Sequence, residues 1–155
     1  VRDELNDDVI ITFADIVVHQ SIIDKLVKSN NDITMAIDTS QVLAGTMRVV
    51  IDNTNIKNIL NSQNRIFPTT TTTVDEADGN FIGISKIKQS GCKLLVHEMS
   101  NIIDSHFEDY YTIAIDNLVR KGHKVGFCDI KNHLWREIDT KEEYDNLVNI
   151  FDQFL

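Results

Sequence analysis

Basic residues are scarce. Fifteen Lys and Arg stand against 24 Asp and Glu in 155 residues, a formal net charge of -9. Nucleic acids and anionic membrane surfaces are normally met by a Lys/Arg excess, so both are excluded as expected partners. A polyanionic substrate would need a local basic site or a divalent cation. Cysteine is almost missing: Cys92 and Cys128 stand alone, without metal-ligand spacing. They read as ordinary thiols of a reducing, cytoplasmic compartment. No apolar run approaches the roughly 18 residues of a membrane helix, and nothing resembles a signal peptide, so the chain reads as soluble. A Ser/His/Asp nucleophile set is also lacking. His19, His97, His106, His123 and His133 all sit in polar contexts and read as surface residues.

What is present is one ordinary globular composition, 42% hydrophobic and 25% charged, which fits a single domain over residues 1–155. The stretch "DDVIITFADIVV", residues 7–18, places Asp15 near the end of an apolar run. Val9 to Phe13 reads as a strand buried on both faces. "HQSIIDKLVKSN" follows as a short amphipathic helix with Ile22, Ile23, Leu26 and Val27 on one stripe, and "DITMAID", 32–38, as a second buried strand. Strand, helix and strand with short links predict a parallel βαβ unit. "MRVVID" is a third strand. Residues 53–78 read as an excursion of one strand and a mobile loop containing the Thr run at 69–73. "GNFIGISKI", 79–87, is a strand whose two glycines weaken it unless backbone must approach something closely. Helices are expected over roughly 89–103 and 107–120, the second stopped by Lys121-Gly122. "HKVGFCDI" and "LWREID" are the last strands, and Thr140 opens a closing helix with Glu142 and Glu143 in its first turn.

Ligands of open α/β sheets bind beyond the carboxyl ends of strands, so Asp15, Asp38, Asp129 and Asp139 are the candidate functional acids. Each has a bland alternative, because an Asp at a strand end is also a common cap or turn residue.

Five segments taken together, "DDVIITFADIVV", "DITMAIDT", "GNFIGISKI", "YYTIAIDNLVRKGHKVGFCDI" and "LWREIDTKEEYDNL", follow in order and spacing the later part of the sugar-1-phosphate-type nucleotidyltransferases. Within these the sequence most resembles the branch of choline-phosphate cytidylyltransferases and the 2-aminoethylphosphonate cytidylyltransferases sometimes linked to phosphoenolpyruvate mutase. The resemblance implies a Rossmann-like, GT-A-like α/β fold, a mixed sheet flanked by helices with its N-terminal portion missing. It implies Mg²⁺ held by Asp15 and Asp139, and transfer of a nucleotidyl group, CMP from CTP, to phosphocholine or 2-aminoethylphosphonate with release of pyrophosphate. Tyr110 matches an aromatic contact for the acceptor's ammonium group, and Asp38 or Asp109 could pair with a primary ammonium. Lys86 could reach a phosphate, and Glu137 stands in the matched "EIDT" segment. An aromatic residue often found after the second strand is replaced by "TSQVLAG", which breaks any complete choline cage.

The family's opening glycine-rich loop, with about 90 residues around it, has no counterpart here. Hence the chain is expected to be inactive alone and to associate with itself or with the missing portion. Three alternatives stay open: a sugar-1-phosphate nucleotidyltransferase, a non-catalytic binding or assembly module, and a receiver-type domain. The last expects a paired acid directly after the first strand, whereas Asp7 and Asp8 precede it.

Overall fold

The computed structural model of the chain describes residues 2–43, 46–60, 77–107 and 109–154. The Thr run at 69–73 lies outside the described residues. The elements are β1 (Val9–Thr12), β2 (Ile16–Val18), α1 (Gln20–Val27), β3 (Ile33–Asp38), β4 (Arg48–Asp52), β5 (Asn55–Leu60), β6 (Gly79–Ile87), α2 (Gln89–His106), α3 (Thr112–Arg120), β7 (Gly126–Asp129), β8 (Trp135–Glu137) and α4 (Lys141–Ile150). The fold is α/β with a mixed sheet in the order β1-β6-β3-β7-β5-β4, and a separate ribbon pairs β2 with β8.

The first two strands of the main sheet, β1 and β3, run in the same direction as the predicted βαβ unit requires, but they do not pair with each other. β6, nine residues buried along their whole length, inserts between β1 and β3 and runs antiparallel to both, with Val9 and Ile33 each opposite Ile87. A strand buried throughout gains most from pairing on both edges, and β6 takes an interior place in the sheet. Among the described residues, β3 and β7 are the only strands that pair in parallel. β1 is therefore an edge strand with alternating burial, rather than buried on both faces, and Ile10 is 39% exposed.

Two cores cover the faces. Met35, Ile37 and Ile87 of the sheet pack with Leu95 of α2 and Ala114, Ile115 and Leu118 of α3. On the other side Ile22 and Leu26 of α1 pack with Ala36, Ile82, Ile84 and Ile130. Each such buried Ile, Leu or Met side chain contributes roughly 1.5–3 kcal/mol. The α1 stripe is narrower than the sequence predicts, since Val27 is at the last turn and is exposed.

Helix boundaries also shift. α2 continues to His106, and α3 begins only at Thr112. Tyr111, at the cap, is drawn inward: its hydroxyl donates to Ser85 Oγ at 3.1 Å and its ring meets Phe13 edge-on at 6.2 Å. Burial pushes the Tyr111 phenol up to about 12, with the Ser85 hydrogen bond opposing it. α4 starts as expected, through a full capping box between Thr140 and Glu143.

Candidate active site at a fork in the sheet

β1 and β4 share one edge of β6. β1 occupies Ile84–Ile87, β4 occupies Gly79 and Asn80, and β3 takes the opposite edge. Between the two arms the β6 backbone is bridged only at its ends, by Phe13 N donating to Gly83 O (2.9 Å) and Phe81 N donating to Met47 O (2.8 Å). A cavity of about 430 Å³ opens over this fork.

Close backbone approach explains the glycines of "GNFIGISKI". Gly83 has φ +83°, and a Cβ there would lie 2.8 Å from the Phe13 ring and 3.1 Å from Ile16. A side chain at that position would displace the segment that carries Asp15. At Gly79 a Cβ would meet Ile37 at 2.7 Å and the Asp38 carbonyl oxygen at 2.8 Å.

One wall of the cavity is acidic. The β2–β8 ribbon sets Ile16 opposite Glu137, and Ile138 N donates to Asp15 O at 2.9 Å, so residues from both ends of the sequence meet. Asp15, Glu137 and Asp139 each offer a carboxylate oxygen within 4.8 Å of the others. Asp139 is fixed from behind, as its backbone N–H donates to Glu143 Oε2 at 2.8 Å within the α4 capping box. Desolvation and the neighbouring charges of Asp139 and Asp15 push Glu137 above its ordinary range. Asp15 Oδ1 is buried without a hydrogen-bond partner. Three clustered carboxylates, one with an orphaned oxygen, form the hard oxygen donor set that a divalent cation such as Mg²⁺ takes, and these residues fit one.

Another part of the lining is aromatic. Phe13, Phe81, Tyr110 and Trp135 line it with Met47. Phe13 lies 5.3 Å from the Tyr110 ring and 5.9 Å from Phe81, and Tyr110 remains 44% exposed. Phe13, Phe81 and Trp135 were not singled out by sequence reasoning as wall residues. The available signal was the position of Phe13, two residues before Asp15.

A second cavity of about 560 Å³ adjoins the first across Trp135 and Glu137 and is lined by Asp38. Burial opposes ionisation of Asp38, yet hydrogen bonds from Ser40 and from Trp135 Nε1 (2.9 Å to Oδ2) outweigh it and hold its carboxyl below the ordinary range. Asp38 thus positions the Trp135 ring.

The structure brings together Asp15, Glu137, Asp139 and Tyr110, with Asp38 next door, but not Lys86. Lys86 is buried, and its Nζ donates to the carbonyls of Val27 (3.1 Å) and Ser29 (2.8 Å) at the end of α1. It serves as a helix C-terminal cation. Asp129 behaves as the turn residue of its bland alternative, Oδ1 accepting from Thr39 Oγ1 and Lys131 N. Asp109 is on His106 Nδ1 at 2.7 Å and outside the cavity lining. The histidines are less uniform than expected: His19 caps α1, and Ser21 Oγ bridges it to His133 at 2.7 and 2.8 Å.

No protein-family model matches the chain, and no curated protein matches it. Solved structures do. The inositol-1-phosphate CTP transferase of T. maritima is 16% identical with a TM-score of 0.67, the match covering 96% of this chain and 58% of that one. The CTP:phosphocholine cytidylyltransferase of Streptococcus pneumoniae is 15% identical with a TM-score of 0.63, covering 97% and 60%. The UTP-bound UGPase of Acinetobacter baumannii is 13% identical with a TM-score of 0.62, covering 97% and 53%. The chain has the fold of part of a nucleotidyltransferase, and it spans little more than half the length of these solved structures. Among the described residues, no helix is long and apolar enough to cross a membrane.

Proposed function

We propose that this chain is the metal- and acceptor-binding part of a Mg²⁺-dependent nucleotidyltransferase that transfers CMP from CTP to a small phosphorylated or phosphonylated amine, releasing pyrophosphate. The observation that carries the reading is the meeting of Asp15, Glu137 and Asp139 beside an orphaned carboxylate oxygen. When bound, Mg²⁺ would neutralise charge building on the transferring phosphoryl group. Asp15 and Asp139 would hold it, and Glu137 completes the anionic wall. No protein nucleophile is required, because such transfers rest on positioning and charge stabilisation.

Tyr110, Phe13 and Trp135 support an amine acceptor. Their ring faces suit an ammonium group, and a trimethylammonium or a primary ammonium would gain cation–π attraction there. Phosphocholine and 2-aminoethylphosphonate are the acceptors to test. A polyol-phosphate acceptor is the second reading, favoured by the inositol-1-phosphate CTP transferase among the structural neighbours.

Pyrophosphate release from CTP, with phosphocholine, 2-aminoethylphosphonate or inositol-1-phosphate as acceptor, tests the proposal on this chain and on a chain extended upstream through a glycine-rich loop. We expect activity only in the extended chain, and Asp15→Asn to lower its turnover by orders of magnitude with little loss of folding stability. Inactivity of both chains would leave a non-catalytic binding module as the better reading. Preference for inositol-1-phosphate would replace the amine acceptor with a polyol.

A further inference from the structure

Arg48 opens β4, opposite Leu60 of β5 and Asn80 of β6. It is half-buried, and its Nε and Nη1 are buried with no hydrogen-bond partner. A guanidinium cannot escape such a position by losing its proton, so burial without a partner is unfavourable for as long as nothing binds. The other cations whose side chains are described behave differently. Lys86 is buried but satisfied by two carbonyls, and Lys121 and Arg120 meet Glu98 and Asp116. Lys28, Lys57, Lys93 and Lys124 are exposed to water.

The nearest acid in register is not free to serve it. Asp38 and Arg48 flank Asn80 from the two sides of β6, on one face of the sheet. The Asp38 oxygens accept from Ser40 N and Trp135 Nε1. Asn80 is committed to the preceding loop, accepting from Leu43 N and Thr46 Oγ1 and donating to Gln41 O. Yet Asn80, Thr46 and Met47, the cross-strand and chain neighbours of Arg48, all line the acidic and aromatic cavity.

We propose that Arg48, beside this cavity though not in its lining, is an oxyanion receptor taking the phosphoryl or phosphonyl group of the acceptor. The choice of acceptor over triphosphate rests on the function proposed above. Among the described residues, the orphaned buried side-chain atoms belong to Asp15 and Arg48, one anionic and one cationic. A ligand of both signs matches that pair: an oxyanion for Arg48, and positive charge for the carboxylates and aromatic rings. In a chain of net charge -9, a small dianion needs such a local guanidinium to be held at all.

The test uses the chain itself with inorganic phosphate and methylphosphonate as probes, read by the Nε–H signals of its arginines in ¹⁵N NMR, with R48K identifying the Arg48 signal. We expect that signal to shift saturably with either probe. Arg48→Gln should weaken phosphate binding tenfold or more, R48K should weaken it less, and 2-aminoethylphosphonate should displace phosphate. An unmoved Arg48 signal in the unmodified chain, or equal affinity in folded R48Q and R48K, overturns the proposal. Displacement by CTP but not by 2-aminoethylphosphonate overturns the acceptor assignment. Asp15→Asn separates the two readings: it should abolish Mn²⁺ binding and leave phosphate binding in place. Failure of Mn²⁺ to bind the unmodified chain therefore counts against the metal site alone.

Discussion

Two glycines with nearly equal backbone angles make a controlled experiment. Gly83 has φ +83° and Gly122 has φ +87°, but a Cβ at Gly122 meets nothing within 4 Å, whereas one at Gly83 runs into Phe13 at 2.8 Å and Ile16 at 3.1 Å. Gly122→Ala therefore carries conformational strain alone, roughly 1–2 kcal/mol for an L-residue in the left-handed region. Gly83→Ala adds overpacking in a well-filled region, typically 1–3 kcal/mol, for a total of about 2–5 kcal/mol. The Phe13 ring cannot simply retreat, because it is flanked by Phe81, Tyr110 and Tyr111. Displacement should pass along Phe13-Ala14 to Asp15, so G83A should also weaken Mn²⁺ binding while G122A leaves it unchanged. Urea unfolding of both variants, with Mn²⁺ titration followed by electron paramagnetic resonance, measures both effects. Equal destabilisation of the two variants, or a destabilised G83A with unaltered Mn²⁺ binding, would refute the coupling of β6 to the acidic wall.

Thr140→Ala removes half of the α4 capping box and should cost about 1 kcal/mol; it should also broaden the Asp139 amide resonance, since Glu143 loses its anchor. Asp38 stabilises the fold above the ordinary carboxyl value of 3.8, and that contribution is lost as pH falls through its depressed folded value. Trp135→Phe should flatten this acid limb of the stability profile, measured by denaturant unfolding between pH 2 and 5, and an unchanged slope would refute the role given to the indole. Among the described residues no strand pairs with the outer edge of β1, which lies beside exposed Ile10. We therefore expect concentration-dependent association in sedimentation, whereas a monomer at high concentration would count against it.

Strand and helix identity was largely legible in the sequence, because "DITMAID" and "GNFIGISKI" are rich in apolar and β-branched residues and Thr140 to Glu143 carries a complete capping signal. Pairing was not. Nothing local in β6 says that it will separate β1 from β3, since register and neighbours are set by global packing. The acids Asp15 and Asp139 were found through their resemblance to a family pattern, and Glu137 as part of the same motif. Of the aromatic wall only Tyr110 was found, because its members come from four separate elements or turns, and only folding places Phe13, Phe81, Tyr110 and Trp135 around one space. Lys86 misled for the opposite reason: a lysine near a strand end looks available until the end of α1 is seen to receive it.

The β2–β8 ribbon is three residues long on each side, and its strands come from nearly opposite ends of the chain. Closing so long a loop is entropically costly, and three residue pairs repay little of it before the surrounding cores are in place. The acidic wall should accordingly assemble late in folding and open early under mild denaturant. In that case the apparent cation affinity is not a property of the carboxylates alone. It is scaled by the fraction of molecules in which the ribbon is closed, and a ligand that bridges the wall would act as a staple between the two ends of the chain.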